Sequence, residues 1–139
     1  MAWSLNNYEA YVYSVQNLSS HIQTSALILI QRGKYRAEVK GNISFAAGII
    51  LEVREILYFT SADFIKKYSY VVKKESNILY WYDPQPHPED PDLQSSHPHH
   101  KHISPDIKHH RIPAPGLSFS EPNLTFLIRE IESEFFANS

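Results

Sequence analysis

Seven of the eight histidines in this 139-residue chain lie between Asp83 and Arg111, in the stretch DPQPHPEDPDLQSSHPHHKHISPDIKHHR. Imidazole can give or take a proton near neutral pH, and its neutral nitrogen is a common metal ligand. The densest part, His97-Pro98-His99-His100-Lys101-His102, adds a cation. Two kinds of chemistry follow. One is metal binding, for which His97, His99, His100 and His102 offer imidazole nitrogens at short spacing with His87, Asp90 or Asp92 as extra ligands, His87, His97, His99 and His102 being the set expected if zinc or another divalent metal is bound. Side chains two apart on an extended segment share a side, so these rings converge only through a turn, which Pro98 could supply.

The other is metal-free cleavage of RNA, the preferred reading, for which no cofactor is expected. One imidazole takes the proton of a ribose 2′-OH and another gives one to the leaving 5′-oxygen, roles that fit His99, His100 and His102. A cation then offsets the charge that builds on the phosphate, and Lys101 is the first candidate for it, with Lys108 and Arg111 behind. The competing account is a polar loop of surface imidazoles that meets metal only adventitiously.

Substrate has to be held as well. Tyr68, Tyr70, Tyr80, Trp81 and Tyr82 precede the histidine stretch and could stack on unpaired bases, although sheet packing explains any single ring as well. Arg36, Glu38, Arg54 and Glu55 form a further polar set. Ion pairs across neighbouring strands are the simple explanation of them; alternatively Arg54 and Glu55 join the reaction as second-line catalytic groups and Arg36 contacts substrate.

Elements to position these groups can be read on both sides. Leu5, Tyr8, Tyr11, Val12, Val15, Leu18 and Ile22 recur at helical spacing behind Ser4 or Asn6 as N-cap, predicting a helix over 5–22. Ala26–Ile30 reads as a short buried strand ended by Gln31-Arg32-Gly33. Residues 36–45 alternate almost completely, with Ala37, Val39, Gly41, Ile43 and Phe45 on one side. Ala46-Ala47-Gly48 supplies a turn into a return strand over 49–59, where Arg54-Glu55 interrupts the alternation and suggests a bulge. Further strands are expected over 65–74 and 78–82, the last running into the histidine stretch, which reads as one long functional loop. Ser120 as N-cap, then Glu121 and Pro122, introduce a C-terminal helix with Leu124, Leu127, Ile128, Ile131 and Phe135 on one face. The expected fold is α+β: about five antiparallel strands in a meander, the N- and C-terminal helices packed on one face, and a long His-rich loop before the last helix. Residues 1–139 should form a single domain.

Composition narrows the function classes. A hydrophobic content of 42% and an aromatic content of 13% are those of a folded protein rather than a disordered one. Absence of cysteine removes disulfides, thiol nucleophiles and cysteine zinc sites. A formal charge of −2 gives no global basic field, so a nucleic-acid partner would have to be held by a local patch. The start lacks the basic and apolar regions of a signal peptide, and no apolar run nears the roughly 18 residues of a membrane span, so a cytoplasmic protein without a membrane partner is expected.

Several blocks in order resemble the TumE family of small prokaryotic toxin components of toxin–antitoxin pairs. They are Arg36-Ala37-Glu38-Val39, Ile50-Leu51-Glu52-Val53-Arg54-Glu55-Ile56-Leu57-Tyr58-Phe59-Thr60, and Lys66-Lys67-Tyr68-Ser69-Tyr70. They continue with the aromatic strand ending in Tyr82-Asp83, the turn Pro86-His87-Pro88-Glu89, and Pro98-His99-His100-Lys101-His102, the most specific piece. The likeness runs from about Tyr35 through most of the chain. The family's turn commonly shows two adjacent histidines before Pro-Glu, whereas here His87 stands alone after Pro86, which weighs against an essential role for His87. Ala47-Gly48 also replaces the usual Asp-Gly of the hairpin. The resemblance implies a growth-inhibiting toxin neutralised by a cognate antitoxin protein. RNA as target is inferred from the histidine chemistry, a homodimer is left open, and a non-enzymatic protein that binds metal or a partner through its His-rich loop is the rival reading.

Overall fold

The computed structural model describes residues 3–137. Helix α1 spans Leu5–Ser14 and starts on a reciprocal cap, in which Ser4 Oγ accepts from Asn7 N–H at 3.2 Å and Ser4 N–H donates to Asn7 Oδ1 at 2.7 Å. It is shorter than the apolar spacing predicts. The chain tightens into a 3-10 turn over Val15–Leu18, and Ile22 opens a strand instead of closing the helix. Asn17, Ser19 and Ser20 are poor helix formers, and Ser19 Oγ is drawn off to donate to Glu132 on the far helix at 2.8 Å.

Eight strands make an antiparallel sheet, three more than the meander expected: β1 (Ile22–Ser25), β2 (Ile28–Gln31), β3 (Arg36–Phe45), β4 (Ile49–Tyr58), β5 (Ile65–Lys74), β6 (Asn77–Asp83), β7 (His100–Ile103) and β8 (Arg111–Pro113). From β3 to β8 they follow one another across the sheet, so the meander itself stands. Strands β1 and β2 share the other flank of β3 end to end. Gly41 permits that break: its φ is +136°, and a Cβ there would lie 2.2 Å from the Ala26 carbonyl oxygen.

Alternation on β3 and β4 sends Ala37, Val39, Ile43 and Phe45, then Ile49, Leu51, Val53 and Leu57, to one face. The bulge suggested at Arg54-Glu55 is absent, because Arg54 pairs with Lys40 and Glu55 with Val39 in regular register. Glu55 occupies a core position of an unbroken strand. The irregularity lies between β4 and β5, where Ile56 faces Lys67 but Leu57 faces Ile65.

Both helices cover this inward face. Helix α2 (Leu124–Phe136) buries Leu124, Leu127, Ile128 and Ile131, while α1 buries Tyr8 and Val12. Asn123, not Ser120, caps α2, and its side chain turns inward, donating to Tyr70 Oη at 3.1 Å and to the Ser118 carbonyl at 3.0 Å. The opposite sheet face carries the polar residues of β3, β4 and β5. The α+β class and the placement of the helices are therefore as expected.

The histidine stretch is the larger departure. Rather than one long loop, it contains a 3-10 helix over Pro91–Ser96 and two strands that extend the sheet, β7 on β6 and β8 on β7. Backbone pairing satisfies N–H and C=O groups that a loop would leave to water. Leu93, 2% exposed, and Ser96 pin it from below, Ser96 Oγ accepting from Ala114 N–H at 2.9 Å and donating to the His99 carbonyl at 2.6 Å.

Candidate functional site

Strand β7 sorts the imidazoles. Because successive residues point to opposite sheet faces, His100 and His102 project to the face away from the helices, while Lys101 projects toward them and His99 lies just ahead of the strand. Pairing with β6 sets Trp81 beside His102 and Asp83 beside His100. The Trp81 and His102 rings stack at 4.1 Å.

The result is a convergence of two ring nitrogens on the two oxygens of one carboxylate. His100 Nε2 lies 3.1 Å from His102 Nε2 and 3.1 Å from Asp83 Oδ1, and His102 Nε2 lies 3.3 Å from Asp83 Oδ2. Both rings are buried, at 1% and 5% exposure. The other nitrogen of each ring meets a backbone carbonyl, His100 Nδ1 at 3.2 Å from Pro98 O and His102 Nδ1 at 2.9 Å from Ile107 O. A carbonyl only accepts, so each Nδ1–H can donate to one, which turns the Nε2 atoms of both rings toward Asp83 and toward each other.

Charge around this point is tuned by the same contacts. Burial pushes the Asp83 carboxyl up, but the His100 ring, the Gln85 backbone N–H and the Trp81 indole N–H outweigh it and hold Asp83 well below the usual carboxylate range. Burial lowers the His102 pKa, with His100 and Arg111 acting in the same direction against Asp83 and the Ile107 carbonyl. The centre is thus an ionised carboxylate beside two imidazoles, one of which favours neutrality.

Arg111 pairs with His102 across β7 and β8 and so belongs to the same face. Its Nη1 donates to His87 Nε2 at 2.8 Å, and the His87 ring meets that of His100 edge-on at 4.8 Å. Its Nε is buried and finds no partner among the described residues. A guanidinium held this way offers a donor to an incoming anion.

The remaining sequence candidates go elsewhere. His99 Nδ1 is 2.5 Å from Tyr68 Oη and its ring leans on Phe119, at the edge of the helix-covered side. Lys101 Nζ pairs with Glu130 at 3.2 Å and sits over the Tyr80 ring at 4.1 Å. Glu55 lies beneath the helices, accepting from Tyr8 at 2.6 Å and Tyr70 at 2.5 Å, and burial raises its pKa despite those bonds. Tyr68, Tyr70 and Tyr82 are buried, the last donating to Glu130 at 2.6 Å, so none offers a face for a base to stack on. Of the ligand set His87, His97, His99 and His102, only His102 enters the triangle; His97 is exposed and His99 lies on the other side.

On the open sheet face Arg54 is 67% exposed and pairs with Glu38 at 3.4 Å, while Arg36 lies over the Tyr58 ring at 4.9 Å. Exposed Lys67 stands next to them on β5, paired with Ile56. Asp83 is the member of this centre that sequence reasoning did not name as a ligand or base. Its one available signal was position, two residues after Trp81 and hence on the same side of the strand.

Among the described residues, no helix is long and apolar enough to cross a membrane. The family described as Toxin TumE matches residues 13–135, which include every residue of this centre. No curated protein and no solved structure gives a significant match.

Proposed function

The chain belongs to the TumE toxin family, which gives it a toxin role and implies an antitoxin partner, and we propose that it exerts that role by cleaving RNA at the Asp83–His100–His102 centre. The observation that carries this reading is the convergence of an ionised carboxylate and two inward-facing imidazole nitrogens, 3.1–3.3 Å apart, beside the unsatisfied Nε of Arg111. Phosphodiester cleavage needs a group to remove the proton of the 2′-OH, a source of a proton for the leaving oxygen, and a cation for the phosphate. In the reaction, the 2′-oxygen loses its proton to the centre and bonds to phosphorus, the bond from phosphorus to the 5′-oxygen breaks, and the departing oxygen is protonated. Arg111 holds a non-bridging oxygen meanwhile. Products are a 2′,3′-cyclic phosphate and a 5′-hydroxyl.

Cations on the open face extend the reading to substrate. Arg36, Arg54 and Lys67 provide a local basic patch on a chain whose net charge is −2, and an unpaired strand of RNA laid across β4 and β5 would reach the centre at the β6–β7 side. His99 and Lys101 support the site from the other face in this reading, Lys101 through Glu130 and His99 through Tyr68.

Antitoxin-free protein incubated with RNA is expected to produce cyclic-phosphate ends, with Asp83→Asn and His102→Ala each slower by at least about a hundredfold. His109→Ala, an exposed ring paired with Asp106 outside the centre, should cleave at the wild-type rate. A protein that leaves RNA intact yet still binds its antitoxin stoichiometrically and arrests growth would instead be a sequestering toxin.

A further inference from the structure

We propose that the Asp83–His100–His102 triangle is a binding site for one divalent transition-metal ion of the zinc class. Three observations lead to it, and none involves RNA.

The first is donor type. Two imidazoles and one carboxylate suit zinc and its neighbours, whereas magnesium and calcium favour sites built from oxygen alone. The second is spacing. Bonds of about 2.0–2.1 Å at a tetrahedral angle place donor atoms roughly 3.3 Å apart. The two ring nitrogens are 3.1 Å apart, and they stand 3.1 and 3.3 Å from the Oδ1 and Oδ2 atoms of Asp83 respectively. The three donors also lie on the paired strands β6 and β7, a rigid frame rather than a loop.

The third observation is orientation. Nδ1 of each ring meets a backbone carbonyl, of Pro98 and of Ile107, which turns the Nε2 atoms of both buried rings toward the Asp83 carboxylate. The two carbonyls are also the outer partners that metal-bound imidazoles ordinarily have, fixing ring orientation and tautomer.

Three protein ligands leave at least one coordination position for water or a phosphate oxygen. Arg111 on the adjoining strand would hold the same phosphate, so the site pairs two positive charges against one anionic group. That catalytic consequence rests on the ribonuclease reading above; the binding of metal does not.

The experiment uses full-length, tag-free protein stripped with chelator and titrated with Zn²⁺ by calorimetry and with Co²⁺ by visible absorption, RNA cleavage being followed on the same samples. One ion per chain is expected, with a tetrahedral or five-coordinate Co²⁺ spectrum. Asp83→Asn and His102→Ala should each weaken binding by at least about tenfold, while His97→Ala and His109→Ala leave it unchanged. Circular dichroism of each variant separates lost ligands from lost fold, and His102→Gln, which keeps much of the ring's bulk, serves if the alanine variant fails to fold. Binding that is absent, or insensitive to both Asp83 and His102, would overturn the metal site. If the stripped protein cleaves RNA at full rate and binds no metal, the ribonuclease reading survives and the metal falls. If metal binds through these residues and RNA stays intact, the site stands and the ribonuclease reading falls.

Discussion

Two carboxylates in this chain occupy opposite environments. Asp83 is held ionised by donors and by the His100 ring, as a ligand or base must be. Glu55 is raised by burial, and its two phenol donors only partly offset that. A raised folded pKa means that Glu55 binds its proton more tightly folded than unfolded. Its contribution is fully present below the unfolded value and is lost as pH rises through the folded one. Thermal unfolding of wild type against Glu55→Gln is therefore expected to show the wild type losing ground steadily as pH climbs above about 4.5, the ordinary glutamate value. A difference between the two proteins that stays constant with pH would contradict a buried, proton-retaining Glu55. Arg111 is tested by kinetics: Arg111→Ala should lower the cleavage rate by roughly 10²–10³-fold, and Arg111→Lys should recover part of it without restoring a forked donor.

Among the strands, β3, β4 and β5 could be read from the sequence almost to the residue, because their alternation of apolar and polar side chains is strong. Strands β7 and β8 could not. His100-Lys101-His102 offers no apolar face, and its inward residue, Lys101, is accommodated only because Glu130 of α2 and the Tyr80 ring meet it. Proline punctuation and imidazole density read as loop, whereas pairing with β6 made strands. The same pairing creates the triangle. Which histidines share a side follows from β7 alone, but that they meet Asp83 depends on β6, well upstream in the chain and without a local signal. Glu55 misled for a related reason: a carboxylate at a core position looks like a break in the alternation, when in fact two tyrosines from α1 and β5 satisfy it. In the proposed reaction, substrate would lie on the outward face of β3–β5. Charge reversal by Arg54→Glu together with Lys67→Glu is expected to weaken RNA affinity and flatten its dependence on salt by about one unit of slope for each phosphate left without its cation. Zn²⁺ affinity should not change in that variant, since neither residue touches the triangle.

Taken as a unit, the protein is a two-layer structure whose helices cover one sheet face and leave the other open. A cluster of buried side chains runs from α1 through β2–β6 to α2 and includes Leu51, 0% exposed. Leu51→Ala should destabilise by about 2–5 kcal/mol in denaturant unfolding and leave the cleavage rate per folded molecule unchanged, because Leu51 points away from the site. The family assignment was readable from the ordered blocks between Tyr35 and the last helix, and the match over residues 13–135 agrees with it. Packing of two helices on one side was readable from their apolar stripes. What the sequence withheld was the division of a single histidine cluster between two faces, with His100 and His102 beside Asp83 on one and His99 and Lys101 on the other.

A DNA oligonucleotide carrying one ribonucleotide, incubated in single turnover with antitoxin-free protein and with its His102→Ala variant, probes that division at the bond where it matters. The wild type should cut once, 3′ of the ribonucleotide, leaving a cyclic phosphate, and the variant should be slower by at least about a hundredfold. An uncut oligonucleotide, or equal cutting by both proteins, would contradict RNA cleavage at the Asp83–His100–His102 centre.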